Sequence, residues 1–264
     1  MLVRFYTTMD VSPEEVHQIG LENIEKVSSK MKAVRDELGF EGTQEEFLEN
    51  LRKDPRFYAK TPDEVGERLM SFVAKMEDKI PANFSRLPRA PYGVRRLDPS
   101  LEASLTFGYY QWPTVADPEG NYLYNGSKLD ERPLINAQGL VYHELVPGHH
   151  FQIALQRESQ DLPLLQRAIT FTGYAEGWAL YAEAITKPYM PLDGQLISLQ
   201  FRLARAAVAT GDLGTSFVTK EPVAAVLGRA LPATLLLGAA ALMLDLLLGL
   251  GVAVAAARRP SGWF

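Results

Sequence analysis

The sequence predicts a mainly α-helical fold with one small β-hairpin or sheet, and two observations carry that prediction. Three segments in the first third place a capping Ser or Thr directly before helix-favouring residues, and an amphipathic run follows each of them. A proline-rich middle segment, residues 84–133, then interrupts the helical pattern and contains two aromatic runs that are typical of strands.

The helices of the first third are predicted from their start signals. Ser12, Thr43 and Thr61 are each followed three residues later by a glutamate, which is the spacing of a capping box. Proline at the first helical position follows Ser12 and Thr61. This region is interpreted as scaffold. The predicted helices cover residues 12–38, 43–52 and 61–79.

The middle segment is predicted to contain a β-hairpin. Residues 105–112 and 121–125 are the two strands, and the turn-forming sequence of residues 117–120 joins them. The aromatic side chains of these strands are interpreted as packing residues. The edge of such a hairpin can still bind an extended peptide by strand addition.

After Pro133 the pattern becomes helical again. One helix is expected to continue to about residue 157 and to carry a cluster of histidines, and a second long helical stretch is expected to follow. The predicted helical stretches cover residues 133–157, 161–187 and 193–209.

The composition excludes several classes of function. The chain has 264 residues, of which 47% are hydrophobic and 22% charged, as in a globular protein. Its formal net charge of −5 comes without a basic stripe, so no nucleic acid partner is expected. Without cysteine, any metal must be held by imidazole and carboxylate groups. The N-terminus lacks the apolar run of a signal peptide, so the chain is expected to be cytoplasmic or membrane-associated through its C-terminal segment.

The C-terminal segment differs sharply from the rest of the chain. Residues 1–228 are predicted to form one domain, and residues 229–264 an apolar tail. Between residues 230 and 257 Asp245 is the only charged residue, and arginines flank the run on both sides. A run of this length can span a bilayer. Two alternatives are a helix buried in the protein core and an aberrant C-terminal tail from a truncated or mis-spliced reading frame.

The histidine cluster is the strongest indication of chemistry. Zinc hydrolases commonly use His-Glu-x-x-His on a helix, but here Pro147 stands where the second histidine would fall. In an unbroken helix His143 and His150 would be ~10 Å apart along the axis, too far for one ion. Pro147 and the glycine after it permit a bulged turn that brings His149 or His150 back beside His143. His149 is the preferred ligand, with His150 in support, and Glu144 is the candidate general base.

Candidates for the remaining roles lie further along the chain. Glu176, flanked by Ala and Gly, is the candidate third ligand, and Glu183 lies seven residues on, where it can orient a histidine. Tyr174, Tyr181 and Arg205 are candidates for stabilising an oxyanion. The alternative for each of these five residues is a purely structural role.

Two motifs together resemble a known family. The segment from His143 to Gln152, followed by the segment from Gly173 to Glu183, is similar to the bacterial DUF885 family, whose members are grouped with helical zinc metallopeptidases of the gluzincin type. The similarity extends over about residues 3–225.

The resemblance implies a helical, gluzincin-like fold with one zinc ion per chain and a peptide substrate. Family members are considerably longer than this chain, so the chain is expected to match only the C-terminal half of the family fold. The resemblance therefore leaves an alternative open, namely a non-catalytic fragment or pseudoenzyme, with or without a membrane tether. A metal-dependent hydrolase of a non-peptide bond is a further alternative, and the oligomeric state stays open.

Overall fold

The computed structural model describes residues 2–105, 107–209 and 221–229, and isolated positions beyond residue 230. The chain divides into two compact units, residues 1–206 and residues 207–264. In the second unit residues 223–229 are helical. Most of the predicted apolar run of residues 230–257 lies outside the described residues. Among the residues that are described, no helix is both long and apolar enough to cross a membrane.

The first unit begins with a series of helices that confirms the three predicted starts. Ser12 and Thr43 each form a complete capping box, and the Thr61 side chain accepts a hydrogen bond from the backbone of Glu64. The first short helix was not predicted. The helices are α1 (Leu2–Thr7), α2 (Pro13–Glu37), α3 (Gln44–Lys53), α4 (Pro62–Glu77) and α5 (Ile80–Asn83).

A three-stranded sheet with one additional short helix follows. The elements are β1 (Tyr92–Arg96), α6 (Pro99–Glu102), β2 (Gly108–Gln111) and β3 (Gly120–Tyr124). The fully buried β3 is the central strand; it pairs antiparallel with β2, which confirms the predicted hairpin, and parallel with β1. β1 was not predicted, because its five residues lie among prolines and carry no alternating pattern.

The last third contains α7 (Ala137–Glu144), α8 (His149–Glu158), α9 (Leu164–Ala168), α10 (Thr172–Thr186) and α11 (Leu192–Ala209). The prediction of one continuous helix over residues 133–157 was wrong, because Pro147 has no N–H to donate and the helix is interrupted at residues 145–148, between α7 and α8. The stretch over residues 161–187 is also divided. There the side chain of Gln156 donates to the backbone carbonyls of Gln166 and Ile169, which would otherwise be left unpaired where α9 ends.

Two hydrophobic cores support these elements. The first joins α4, β3, α7 and α8, and its fully buried side chains include Val73, Tyr122, Val141 and Phe151. The second joins α2, α3 and α11. The histidine-bearing helices α7 and α8 therefore rest on the first core, which fixes their backbones.

Candidate metal centre

The turn between α7 and α8 brings two histidines side by side. α7 ends at Glu144, and α8 begins at His149 after a four-residue connection. A Cβ atom at Gly148 would lie 1.8 Å from the backbone oxygen of His143, so only glycine permits this close return of the chain. As a result, the rings of His143 and His149 meet edge to face with their centroids 4.8 Å apart.

Glu176 of α10 completes a group of three potential ligands. Nitrogen atoms of His143 and His149 and a carboxylate oxygen of Glu176 all lie within 4.8 Å of one another. The two Nε2 atoms are each 3.6 Å from a different oxygen of Glu176. Two imidazoles and one carboxylate form a donor set that catalytic metal sites use, so this group could hold a metal ion.

A second carboxylate orients the first histidine. Nδ1 of His143 lies 2.8 Å from Oε1 of the buried Glu183, which leaves Nε2 directed at Glu176. Glu183 in turn accepts hydrogen bonds from Ser198 at 3.4 Å and from Arg205 at 3.3 Å. Such a carboxylate–histidine contact fixes both the tautomer and the ring orientation of a metal ligand.

The two histidines have opposite electrostatic environments. Burial lowers the pKa of His143, but the adjacent carboxylates of Glu176 and Glu183 outweigh it and raise that pKa to about 9. Burial, together with the charge on His143, lowers the pKa of His149 to about 4. The neighbouring imidazole of His143 holds the pKa of Glu176 below its usual value. The buried Nδ1 of His149 has no hydrogen-bond partner among the described residues.

Glu144 lies beside this group at the end of α7. Burial raises the pKa of its carboxyl group to about 7; the charge of His143 opposes this effect and that of Glu176 adds to it. The backbone N–H of Tyr110 and the charge of Arg205 both lie near the carboxylate, and both lower this pKa. A carboxyl group with this pKa can both accept and release a proton near neutral pH.

Tyr110 belongs to β2, which lies at the edge of the sheet. The backbone N–H of Asn125 donates to the oxygen of Phe107, so this opposed pair belongs to the hydrogen-bonded set of the ladder. Hydrogen-bonded and non-hydrogen-bonded pairs alternate along an antiparallel ladder, so the pair of Tyr110 and Tyr122, three positions further along, is a non-hydrogen-bonded one. The backbone N–H and carbonyl of Tyr110 therefore point away from β3. This open edge is the side that faces Glu144.

His150 lies outside the ligand group. Its side chain is completely buried, with Nε2 3.1 Å from the backbone oxygen of Ala90 and Nδ1 3.0 Å from the Tyr110 hydroxyl. Burial lowers the pKa of His150 to about 4. The sequence left His149 and His150 as alternatives for the second ligand. The structure places His149 beside His143 and Glu176, whereas both ring nitrogens of His150 contact other groups.

The candidates for oxyanion stabilisation occupy different places. Arg205 contacts Glu183 and therefore lies behind His143. Tyr174 and Tyr181 of α10 are 55% and 52% exposed, and neither side-chain hydroxyl forms a hydrogen bond with another described residue. Tyr181 contacts the ring of Trp178 at a centroid distance of 5.9 Å. The structure thus brings Arg205, but neither tyrosine, into contact with the residues around the ligand group.

Three contributions to the site were missed from the sequence: the backbone of Tyr110, the carbonyl of Ala90 and the hydroxyl of Ser198. A hairpin edge was predicted, but its aromatic side chains were interpreted as packing residues. No sequence signal indicates the backbone contacts, because they depend on which edge of the sheet meets α7.

Comparisons with known proteins agree with this architecture. A family model described as "Bacterial protein of unknown function (DUF885)" matches residues 1–226. A crystal structure described as "the putative lipoprotein from Colwellia psychrerythraea" is similar over 80% of this chain, with 29% sequence identity and a TM-score of 0.73. The similar region covers 38% of that protein, so the present chain spans well under half of its length. No curated protein matches the sequence.

Proposed function

The chain belongs to the DUF885 family, and we propose that it is a zinc-dependent peptidase whose metal ligands are His143, His149 and Glu176. The observation that carries the proposal is the convergence of these ligand atoms within 4.8 Å, although they come from three different helices. Their approach is built into the fold, because α7 and α8 rest on a common core and α10 packs against both.

The donor set suits zinc. Two imidazoles and a glutamate are one of the ligand sets of catalytic zinc sites, which leave a fourth position for water. When bound, the ion would supply a water molecule of lowered pKa and would polarise the carbonyl group of the substrate. The contact between His143 and Glu183 supports this assignment, because histidine ligands of zinc commonly donate their second N–H to a carboxylate.

Glu144 is the proposed general base. It follows a ligand directly in the sequence, and its raised pKa of about 7 suits a group that takes a proton from the attacking water and returns it to the leaving amine. Arg205 contributes positive charge, since it acts on the carboxylates of both Glu144 and Glu176. Tyr174 stays a candidate for contact with the oxyanion.

A peptide is the proposed substrate because of the strand beside the base. The open edge of β2 offers the backbone groups of Tyr110 next to Glu144, and an extended peptide can pair with such an edge. Pairing there would place the peptide backbone alongside the ligand group.

The test uses the full chain in three forms: unchanged, Glu144→Gln and His143→Ala. We expect about one zinc ion per chain in the unchanged protein and in Glu144→Gln, and a large loss of zinc in His143→Ala. Hydrolysis of a fluorogenic peptide library should occur in the unchanged protein alone. Equal hydrolysis by Glu144→Gln would contradict the proposed role of that residue.

Two other outcomes would replace the proposal. Zinc binding without peptide hydrolysis, but with cleavage of an ester or non-peptide amide in a substrate panel, would indicate a hydrolase of another bond class. A folded protein that binds no zinc and cleaves nothing would indicate a non-catalytic member of the family.

A further inference from the structure

We propose that His150 is a positioning residue, which holds the edge strand β2 against Glu144. The two adjacent histidines would then have separate tasks, with His149 among the metal ligands and His150 fixing the strand beside them. The effect on turnover rests on the proposed function, whereas the effect on the strand does not.

The tautomer of His150 follows from its partners. The backbone oxygen of Ala90, 3.1 Å from Nε2, can only accept a hydrogen bond, so Nε2 carries the ring proton and donates it. Nδ1 is then an acceptor, and the Tyr110 hydroxyl, 3.0 Å away, donates to it. Both nitrogens are therefore engaged in directional bonds in a fully buried setting, where an unmade bond is costly.

The bond to Ala90 ties His150 to a segment that is itself fixed. The Glu158 carboxylate at the end of α8 accepts hydrogen bonds from the backbone N–H groups of Arg89 at 2.8 Å and of Ala90 at 2.9 Å. The imidazole thus connects two parts of the chain, an anchored loop before β1 and the side chain of Tyr110 on β2.

The bond to Tyr110 acts on the strand that meets the candidate base. The Tyr110 hydroxyl is held by His150, and the backbone N–H of the same residue points away from β3, on the side where Glu144 lies. Gly120 leaves the space for this contact. A Cβ atom there would lie 2.3 Å from Nδ1 of His150 and 2.7 Å from the Tyr110 hydroxyl oxygen.

A positioning role and a purely structural role predict different results. If the only role of His150 were to stabilise the core, loss of its bond to Tyr110 would lower the stability of the whole domain. All buried amides would then exchange faster. If it positions β2, the change would be confined to that strand and to the reaction at Glu144.

The test compares Tyr110→Phe with Tyr109→Phe in the full chain. Tyr110→Phe removes the hydroxyl that donates to His150 but keeps the ring and the backbone N–H. Tyr109, the matched control on the same strand, is partly exposed and forms no side-chain hydrogen bond with another described residue. His150→Gln is a second variant, which keeps a donor for Ala90.

The measurements are amide hydrogen exchange by NMR, zinc affinity and turnover. In Tyr110→Phe we expect the amide of Tyr110 to exchange about tenfold faster, while that of the fully buried Val141 is unchanged. Zinc affinity should stay within about twofold, because no ligand is altered. The kcat/KM should fall about tenfold, because the loosened strand lies beside the base and also carries the proposed peptide-pairing edge.

The proposal is wrong if Tyr110→Phe and Tyr109→Phe behave alike, or if exchange accelerates equally at Tyr110 and Val141. A protein that hydrolyses nothing would remove the proposed function, yet the exchange measurement would still decide whether His150 holds the strand.

Discussion

The imidazole of His143 and the carboxylate of Glu183 lie 2.8 Å apart, although 40 residues separate them in the chain. The contact joins the end of α7 to the last turn of α10 and is buried on both sides. It links the ligand group to α11 as well, because Ser198 and Arg205 bind the same carboxylate. The orientation of one proposed metal ligand is thereby set by three helices.

Replacing Glu183 by glutamine should weaken zinc binding while leaving all three ligands in place. The expected loss in affinity is about 10- to 100-fold, because the amide cannot match the carboxylate in orienting His143. Competition with a chelating dye measures the affinity. Ser198→Ala, which removes a longer and weaker contact to the same group, should cost less than about threefold. Equal affinities in all three proteins would contradict this prediction.

Replacing each histidine of the doublet separately should give different metal contents. His149→Ala should lose most of the bound zinc, whereas His150→Gln should keep about one ion per chain. Elemental analysis after dialysis measures the content, and circular dichroism checks that both variants fold. If His150→Gln lost the ion and His149→Ala kept it, the assignment of the ligands would have to be reversed.

The stability of the first unit should depend on pH through Glu102. The hydrogen-bonded Arg96 guanidinium, opposed by burial, holds the pKa of Glu102 below its usual value of 4.5. The unfolded chain therefore binds this proton more tightly than the folded chain. The stabilisation should be fully present above about pH 4.5 and should be lost as the pH falls through the lower folded-state pKa.

Urea unfolding of Glu102→Gln measures that contribution. At pH 7 the free energy of unfolding should fall by about 2 kcal/mol, since the carboxylate is buried and accepts from Arg96 and from the backbone of Gly126. The difference from the unchanged protein should narrow in acid. Glu131→Gln is the control, because Glu131 is an exposed partner of Lys128 and should change stability by less than about 0.5 kcal/mol.

Adding a methyl group should have opposite effects at two glycines. Gly120→Ala should lower the free energy of unfolding by about 1–3 kcal/mol, because the new Cβ would overlap His150 and the Tyr110 hydroxyl. Gly177→Ala should raise it by about 0.5–1 kcal/mol, because that position is helical and has no atom within 4 Å of the new Cβ. Thermal and urea unfolding measure both changes, and effects of the same sign would contradict the prediction.

The helices that could be predicted are those whose starts are encoded locally. The caps at Ser12, Thr43 and Thr61 involve residues three positions apart, so a short segment contains the whole signal. β1 could not be predicted in this way, because its pairing partner β3 lies nearly thirty residues further along the chain. The division of the helix at residues 145–148 depends on the close return of Gly148 to His143, which is a tertiary contact.

In the candidate site, too, the sequence predicts what depends on local signals and not what depends on tertiary contacts. Residue types and spacing were enough to select His143, Glu144 and Glu176, and to name Glu183 as the group that orients a histidine. Spacing could not decide between His149 and His150, because adjacent residues of a helix point about 100° apart and only the exit from the turn determines which one meets His143. The part played by Tyr110 depends on the sheet edge and is invisible in the sequence.

The turn closed by Gly148 bears on how related sites can be found in other sequences. A search pattern that requires the second histidine three residues after the first glutamate passes over this chain, because the turn moves that histidine to position 149. A three-dimensional template of two imidazoles and one carboxylate, without any condition on sequence spacing, would retrieve it. Other proteins whose ligands are separated by an inserted turn can be recovered by the same kind of template.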